Sequence, residues 1–272
     1  MIGTIRRVVV ALDAVSENRA AIDAATRLAA RWKCRLHGVF VEDDELLRLA
    51  VLPFARQVTL GFGAETLTVV AAERQLRAYA ERARGQLAAA ARAHGVEWSF
   101  ETVRGAAGMV SVATTDFLVA GTSTRPIGGH FRVECRWWSV VEPNPASFLL
   151  AHRETRAQGA VVCVLRSRGP ASERALDAAA QLADNDGGRL TVICPPELAA
   201  EPGFTEWLSQ RLVGHAIRTE VELLPAEPAA QIRHIVELDC RLVAIESSAD
   251  QAQPGRLRDI VARVSCDVLV VR

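Results

Sequence analysis

Three short segments of this chain recur at one fixed spacing. Ile22-Asp23-Ala24-Ala25 returns as Leu176-Asp177-Ala178-Ala179, Leu28-Ala29 as Leu182-Ala183, and Arg35-Leu36 as Arg189-Leu190, each 154 positions later. A constant offset over separate matches reads as internal duplication, which constrains a fold before any local signal does. The ends of the two halves agree with it. Phe148-Leu149-Leu150-Ala151-His152-Arg153 closes the first half as a buried strand, and Cys266-Asp267-Val268-Leu269-Val270-Val271-Arg272 closes the chain in the same way.

Each half alternates strand and helix patterns. Val8 to Leu12 is an unbroken apolar run ending in Asp13, the mark of a parallel strand covered on both faces. Ser16-Glu17 can open a helix on which Ala21, Ala25, Leu28 and Trp32 share a face. Strand patterns follow at 36–41, at 96–102 by alternation, at 117–121 and at 148–152. Between them run helical stripes at 76–90, stopped by His94-Gly95, and at 131–141. The second half repeats this order: strands at 161–165, 190–194, 217–223, 242–245 and 266–271, with helices at 171–183, 204–213, 232–236 and 257–264. Alternation of this kind predicts an α/β fold, two doubly wound parallel sheets joined by right-handed crossovers. The polar stretch 153–159 is the expected boundary. One segment, Glu42 to Glu73, has no counterpart of similar length, because Pro195-Pro196 and Pro202-Gly203 mark only a short connection. Its run Leu46-Leu47-Arg48-Leu49-Ala50-Val51-Leu52-Pro53-Phe54 is too apolar for a free loop. It reads either as a cap on its own domain or as a lid or protein-docking patch.

Composition removes several functions. The chain has 272 residues, room for two ordinary domains, and its 32 basic and 32 acidic residues cancel. Nothing draws it to nucleic acid or an anionic membrane. Lys33 is the only lysine and lacks a Gly-Lys-Ser/Thr context, which removes phosphate-loop NTPases. No apolar run approaches the length of a membrane helix, and Met1 to Arg7 lacks a signal-peptide core, so the expected location is cytoplasmic. The cysteines at 34, 135, 163, 194, 240 and 266 stand singly and read as small buried thiols.

The run Val8-Val9-Val10-Ala11-Leu12-Asp13 with Ser16-Glu17, the strand His37-Gly38-Val39-Phe40-Val41, the strand Asp116-Phe117-Leu118-Val119-Ala120-Gly121 and the ending Ser265 to Val271 together resemble the universal stress protein (UspA-like) family. Because both halves match, the resemblance implies a tandem form: two Rossmann-like domains, 1–153 with an insert at about 42–73 and 160–272, packed as an intramolecular pseudo-dimer, with further homodimerisation left open. In nucleotide-binding members an Asp after the first strand and a contact after the second hold adenosine. A Gly-x2-Gly-x9-Gly-Ser/Thr loop after the fourth strand holds the phosphates, where backbone N–H groups and a helix N-terminus favour an anion.

Carried over residue by residue, Asp13 and Val41 match the adenosine side and Gly121, followed by Thr122, the start of the loop. The second glycine position is Thr124, the third is Glu134, and Cys135 replaces the Ser/Thr. Loop length is kept while its chemistry is lost. Gly128-Gly129-His130 offers a differently shaped anion turn, with Arg125 and Arg132 beside it, although a plain turn with solvated arginines is the simpler reading. In the second half Arg166 or Ser167 stands where Asp is expected, Glu246 replaces the first glycine, and Glu246 to Pro254 is five residues shorter than Gly121 to Glu134. Gly255-Arg256 could still hold a small anion or simply begin a helix.

No catalytic motif is present: there is no Gly-x-Ser-x-Gly elbow and no His-Glu-x-x-His. His130 and Cys135, five apart, make no helix-face metal pair, the cluster Glu42-Asp43-Asp44-Glu45 reads as solvated, and Trp137-Trp138 suits packing. The expectation is a non-enzymatic stress-response binding protein with weakened or lost nucleotide binding and no required cofactor. Its alternatives are a regulator or weak ATPase that binds ATP or AMP through the first half, and a scaffold that docks a protein through Leu46–Phe54.

Overall fold

Val8, Val9 and Val10 are all but sealed from solvent, at 0–1% exposure, in the strand β1 (Arg7–Leu12). A computed structural model of the chain describes residues 5–14, 18–42, 44–59, 63–105, 110, 112–122, 146–152, 159–184, 188–246, 260–261 and 263–272. They fall into two compact units, built on Arg6–Asn144 and Pro145–Arg272.

In the first unit β1 pairs in parallel with β2 (Arg35–Glu42) on one side and with β6 (Asp116–Gly121) on the other. The strand β5 (Trp98–Arg104) adds to β2, giving the order β5-β2-β1-β6. The helix α1 (Asn18–Trp32) lies against this sheet through Ala21, Ile22, Ala25, Leu28 and Ala29. Small Ala side chains allow close approach, and Trp32 meets Phe117 edge-on at 4.9 Å. A left-handed turn at Lys33 ends the helix. The helix α3 (Val69–Ala93) is capped by Thr68, whose hydroxyl accepts from the Ala71 N–H at 3.2 Å. It packs so tightly that a Cβ at Gly38 would stand 2.6 Å from Leu87 and 2.9 Å from Phe100.

The insert is structured. It holds the helix α2 (Asp44–Ala50) and an antiparallel pair, β3 (Arg56–Thr59) and β4 (Gly63–Thr66). Ala50 is buried, but Leu49, Val51 and Phe54 are exposed.

The second unit contains β7 (Ser147–Ala151), β8 (Ala160–Val164), the helix α4 (Pro170–Ala183), β9 (Arg189–Cys194), and the helices α5 (Pro196–Ala199) and α6 (Phe204–Leu212). Then come β10 (Arg218–Leu223), α7 (Pro228–Glu237), β11 (Cys240–Glu246) and β12 (Asp267–Val271). The order is β10-β9-β8-β11-β12-β7. In both units the third, second, first and fourth strands of the repeat follow one another across the sheet. The repeated positions are buried alike: Ile22 and Leu176 at 1% and 0%, Ala25 and Ala179 both at 0%, Leu36 and Leu190 at 0% and 1%.

Two details were not part of the sequence expectation. The segment at Pro195-Pro196 carries the short helix α5, because a proline is accommodated in the first turn. The strand closing the first half, assigned by sequence to the domain 1–153, clusters with Pro145–Arg272. There β7 runs antiparallel to β12, with Leu149 opposite Leu269. Among the described residues no helix is long and apolar enough to cross a membrane.

His152, just past β7, is buried. Its N–H donates to Asp267 Oδ1 at 2.8 Å, while its ring Nε2 has no hydrogen-bond partner among the described residues. Burial holds its pKa down to about 4. The unfolded chain, with an ordinary His, takes up a proton that the folded chain refuses. Stability is therefore unaffected above the ordinary value and falls as pH drops from about 6.5 towards 4, by up to about 1.4 kcal/mol per unit. Urea midpoints measured from pH 7.5 to 4 should show this slope, and His152→Leu should flatten it; an unchanged slope in the variant would assign the effect to other groups.

Candidate functional site

In a doubly wound sheet, ligands gather at the carboxyl ends of the strands, where neighbouring strands lead their crossovers in opposite directions. In the first unit that switch point lies between β1 and β6. Leu12 stands beside Phe40, so Asp13 follows next to Val41, and Ala11 stands beside Ala120, so Gly121 and Thr122 emerge alongside. The fold thus brings Asp13, Val41, Gly121 and Thr122 to one edge of three adjacent strands.

The Asp13 main chain is fixed by Asn18, a residue that the sequence reading did not single out. The Asp13 N–H donates to Asn18 Oδ1 at 3.3 Å, and Asn18 Nδ2 donates to the Asp13 carbonyl at 2.8 Å. This reciprocal pair ties the end of β1 to the first turn of α1. Its only sequence signal is an Asn at a helix start. Val41, Gly121 and Thr122 are buried, and Asp13 is half-buried. Thr124, Gly128 and Gly129, with Glu134, Cys135, Arg125, Arg132, His130, Trp137 and Trp138, lie outside the described residues.

Beside this edge the acidic cluster is partly neutralised. Glu42 is buried and stands opposite Arg104 across β2 and β5. Arg104 Nε donates to Glu42 Oε2 at 3.3 Å, and its Nη2 donates to Glu73 Oε1 at 3.4 Å. The bond to Glu42 holds the guanidinium pKa above its ordinary value. Glu42, expected to be solvated, is thus a buried clamp on β5. Asp44 opens α2, and Asp43 lies outside the described residues. Among the described residues no cluster of three His, Cys, Asp or Glu side chains could hold a metal ion.

The second unit has the same corner between β8 and β11, but there the chain fills it. Ile245 stands beside Val164, so Glu246 emerges at the mouth of the β8–α4 connection. Glu246 Oε1 accepts from the Arg166 N–H at 3.0 Å, and Glu246 Oε2 accepts from the Ser172 hydroxyl in the first turn of α4. Ser172 is fully buried. A loop N–H and the start of a helix are the donors a phosphate would seek, and here a carboxylate of the chain itself takes them. Beneath it, burial, with the charge of Glu246 adding, pushes the Cys163 thiol far above its ordinary range. Ser172 was silent in the sequence because the pairing spans 74 residues. Pro254, Gly255 and Arg256 lie outside the described residues.

No protein-family model matches the sequence, and no curated protein matches it either. Solved structures do. A universal stress protein from Archaeoglobus fulgidus DSM 4304 aligns over 96% of this chain and 95% of its own, at 14% identity and a TM-score of 0.66. A putative universal stress protein from Pseudomonas aeruginosa UCBPP-PA14 aligns over 99% and 94%, at 14% identity and 0.60. The cytoplasmic domain of a prokaryotic cation chloride cotransporter aligns over 98% and 95%, at 10% identity and 0.52. The chain therefore has the fold of universal stress proteins.

Removing Glu246 strands the Arg166 N–H and the Ser172 hydroxyl, and removing Ser172 leaves a carboxylate oxygen without its donor. Glu246→Ala should lower unfolding stability by about 1–3 kcal/mol. Combined with Ser172→Ala, it should cost less than the sum of the two single losses, by about 0.5 kcal/mol or more. Urea denaturation of the four proteins measures this, and strict additivity would mean that the two groups do not interact.

Proposed function

We propose that this chain is a tandem universal stress protein that acts by binding rather than by chemistry, with nucleotide binding weakened in its first half and absent from its second. The observation that carries this reading is the Glu246 carboxylate seated on the Arg166 N–H and the Ser172 hydroxyl. A triphosphate entering that corner would have to displace an anion that already holds the donors, and would meet its charge at close range. In the first half, the replacement of glycines by Thr124 and Glu134 points the same way. Likeness of fold does not choose the function, since a cotransporter domain shares it. The sequence carries no catalytic motif, which favours a non-enzymatic role.

The test is a thermal-shift series with ATP, ADP, AMP and adenosine, with and without magnesium. A ligand at 100 times its dissociation constant stabilises the native state by about 2.7 kcal/mol. The expected outcome is no shift with ATP, and at most a shift with adenosine or AMP that Asp13→Ala abolishes. Micromolar ATP binding lost in Asp13→Ala would instead establish an adenine-nucleotide regulator, or weak ATPase, using Asp13, Val41 and the Gly121 loop.

A second reading rests on the insert. Val51 is 70% and Phe54 77% exposed, with Leu49 and Val70 also open to solvent. Aliphatic and aromatic side chains grouped in this way suit a protein-docking patch. Val51→Ser with Phe54→Ser should abolish capture of a protein partner and leave the melting temperature unchanged; a melting temperature lowered by several degrees would make the segment part of the core instead.

A further inference from the structure

The sulfur atoms of Cys240 and Cys266 lie 3.5 Å apart, although 26 positions separate them in the chain. Cys240 opens β11 and Cys266 immediately precedes β12, the neighbouring strand, and the register of β11 is irregular between Cys240 and Leu242, where the two thiols meet. Both are free thiols, Cys240 half-buried and Cys266 buried. A disulfide bond is about 2.05 Å long, so joining them asks for an approach of about 1.5 Å. One partner is reachable by a small oxidant and the other waits behind it, which is the arrangement of an attacking and a resolving cysteine.

We propose that Cys240 and Cys266 are a dithiol oxidised by hydrogen peroxide to an intramolecular disulfide. The Cys240 thiolate attacks one peroxide oxygen. The O–O bond breaks, hydroxide leaves and takes up the proton that Cys240 lost, and a sulfenic acid forms on Cys240. The Cys266 sulfur then attacks the Cys240 sulfur. The S–O bond breaks, and the departing oxygen leaves as water with the Cys266 proton. Two thiols and one peroxide become one disulfide and two waters, with two electrons passing from sulfur to oxygen. The hydrogen bond between the thiols favours this order. It lowers the pKa of Cys240, against opposition from burial and Asp239, and with burial it raises that of Cys266. Among the other described cysteines, burial pushes the thiols of Cys34, Cys163 and Cys194 up, away from the reactive thiolate. The disulfide would tie the strand that carries Glu246 to the strand paired with β7, whatever the chain binds.

The test uses the full-length reduced protein. It is treated with hydrogen peroxide, quenched with N-ethylmaleimide under denaturing conditions and digested with trypsin. Arg241 and Arg263 place the two cysteines on separate peptides. The expected product is a cross-linked pair of these peptides, two hydrogens lighter and reversed by dithiothreitol. It should form at least tenfold faster in the folded protein than in urea, and the melting temperature should rise by several degrees on oxidation. In Cys266→Ser the attack stops at the first stage, and dimedone should label Cys240. Recovery of both cysteines as maleimide adducts, a cross-link only between chains, or equal rates in folded and unfolded protein would each overturn the proposal.

Discussion

A parallel strand cannot turn back directly into its neighbour; the chain must cross over one face of the sheet and re-enter from the same end. Everything else in this protein depends on that requirement. It demands strands apolar on both faces, as in Val8-Val9-Val10 and Val161-Val162-Cys163. It also demands crossovers that pack closely, which the alanines of α1 and α4 provide. And it sends the connections that follow β1 and β8 to the carboxyl ends of the sheet, where a helix N-terminus and loose loop N–H groups attract anions.

The two halves use that end differently. After β1, Asn18 braces the main chain of Asp13, and the acidic group nearby, Glu42, is neutralised across the sheet by Arg104. After β8 there is no acidic residue at the matching place. Instead, Glu246 reaches across from β11 and supplies the negative charge from within. One side chain therefore both removes the glycine that a phosphate loop needs and occupies the donors that such a loop would present.

The cysteine pair lies apart from the Glu246 corner, and the insert leaves β2 directly after Glu42. α2 and the turn after it add apolar surface that the first unit only partly buries. Cys240 and Cys266 sit at the amino ends of their strands, opposite the switch point, so thiol chemistry there leaves the Glu246 contacts untouched.

The sequence alone determined the duplication, the α/β alternation and nearly every strand and long helix, because each is written locally: period-two and unbroken apolar runs for strands, a three-to-four spacing for helices, and a repeat that states the pattern twice. It also singled out Asp13, Gly121 and Glu246, which the fold sets at the carboxyl ends of their strands. It missed the short helices and the hairpin in the insert, whose signals are brief. Only the tertiary structure decided that Glu42 pairs with Arg104, that Glu246 bonds Ser172, that β7 runs antiparallel to β12 and that Cys240 meets Cys266. Each of these is a contact between residues 26 or more positions apart. The register of neighbouring strands sets such contacts, and register belongs to the assembled sheet rather than to any single segment.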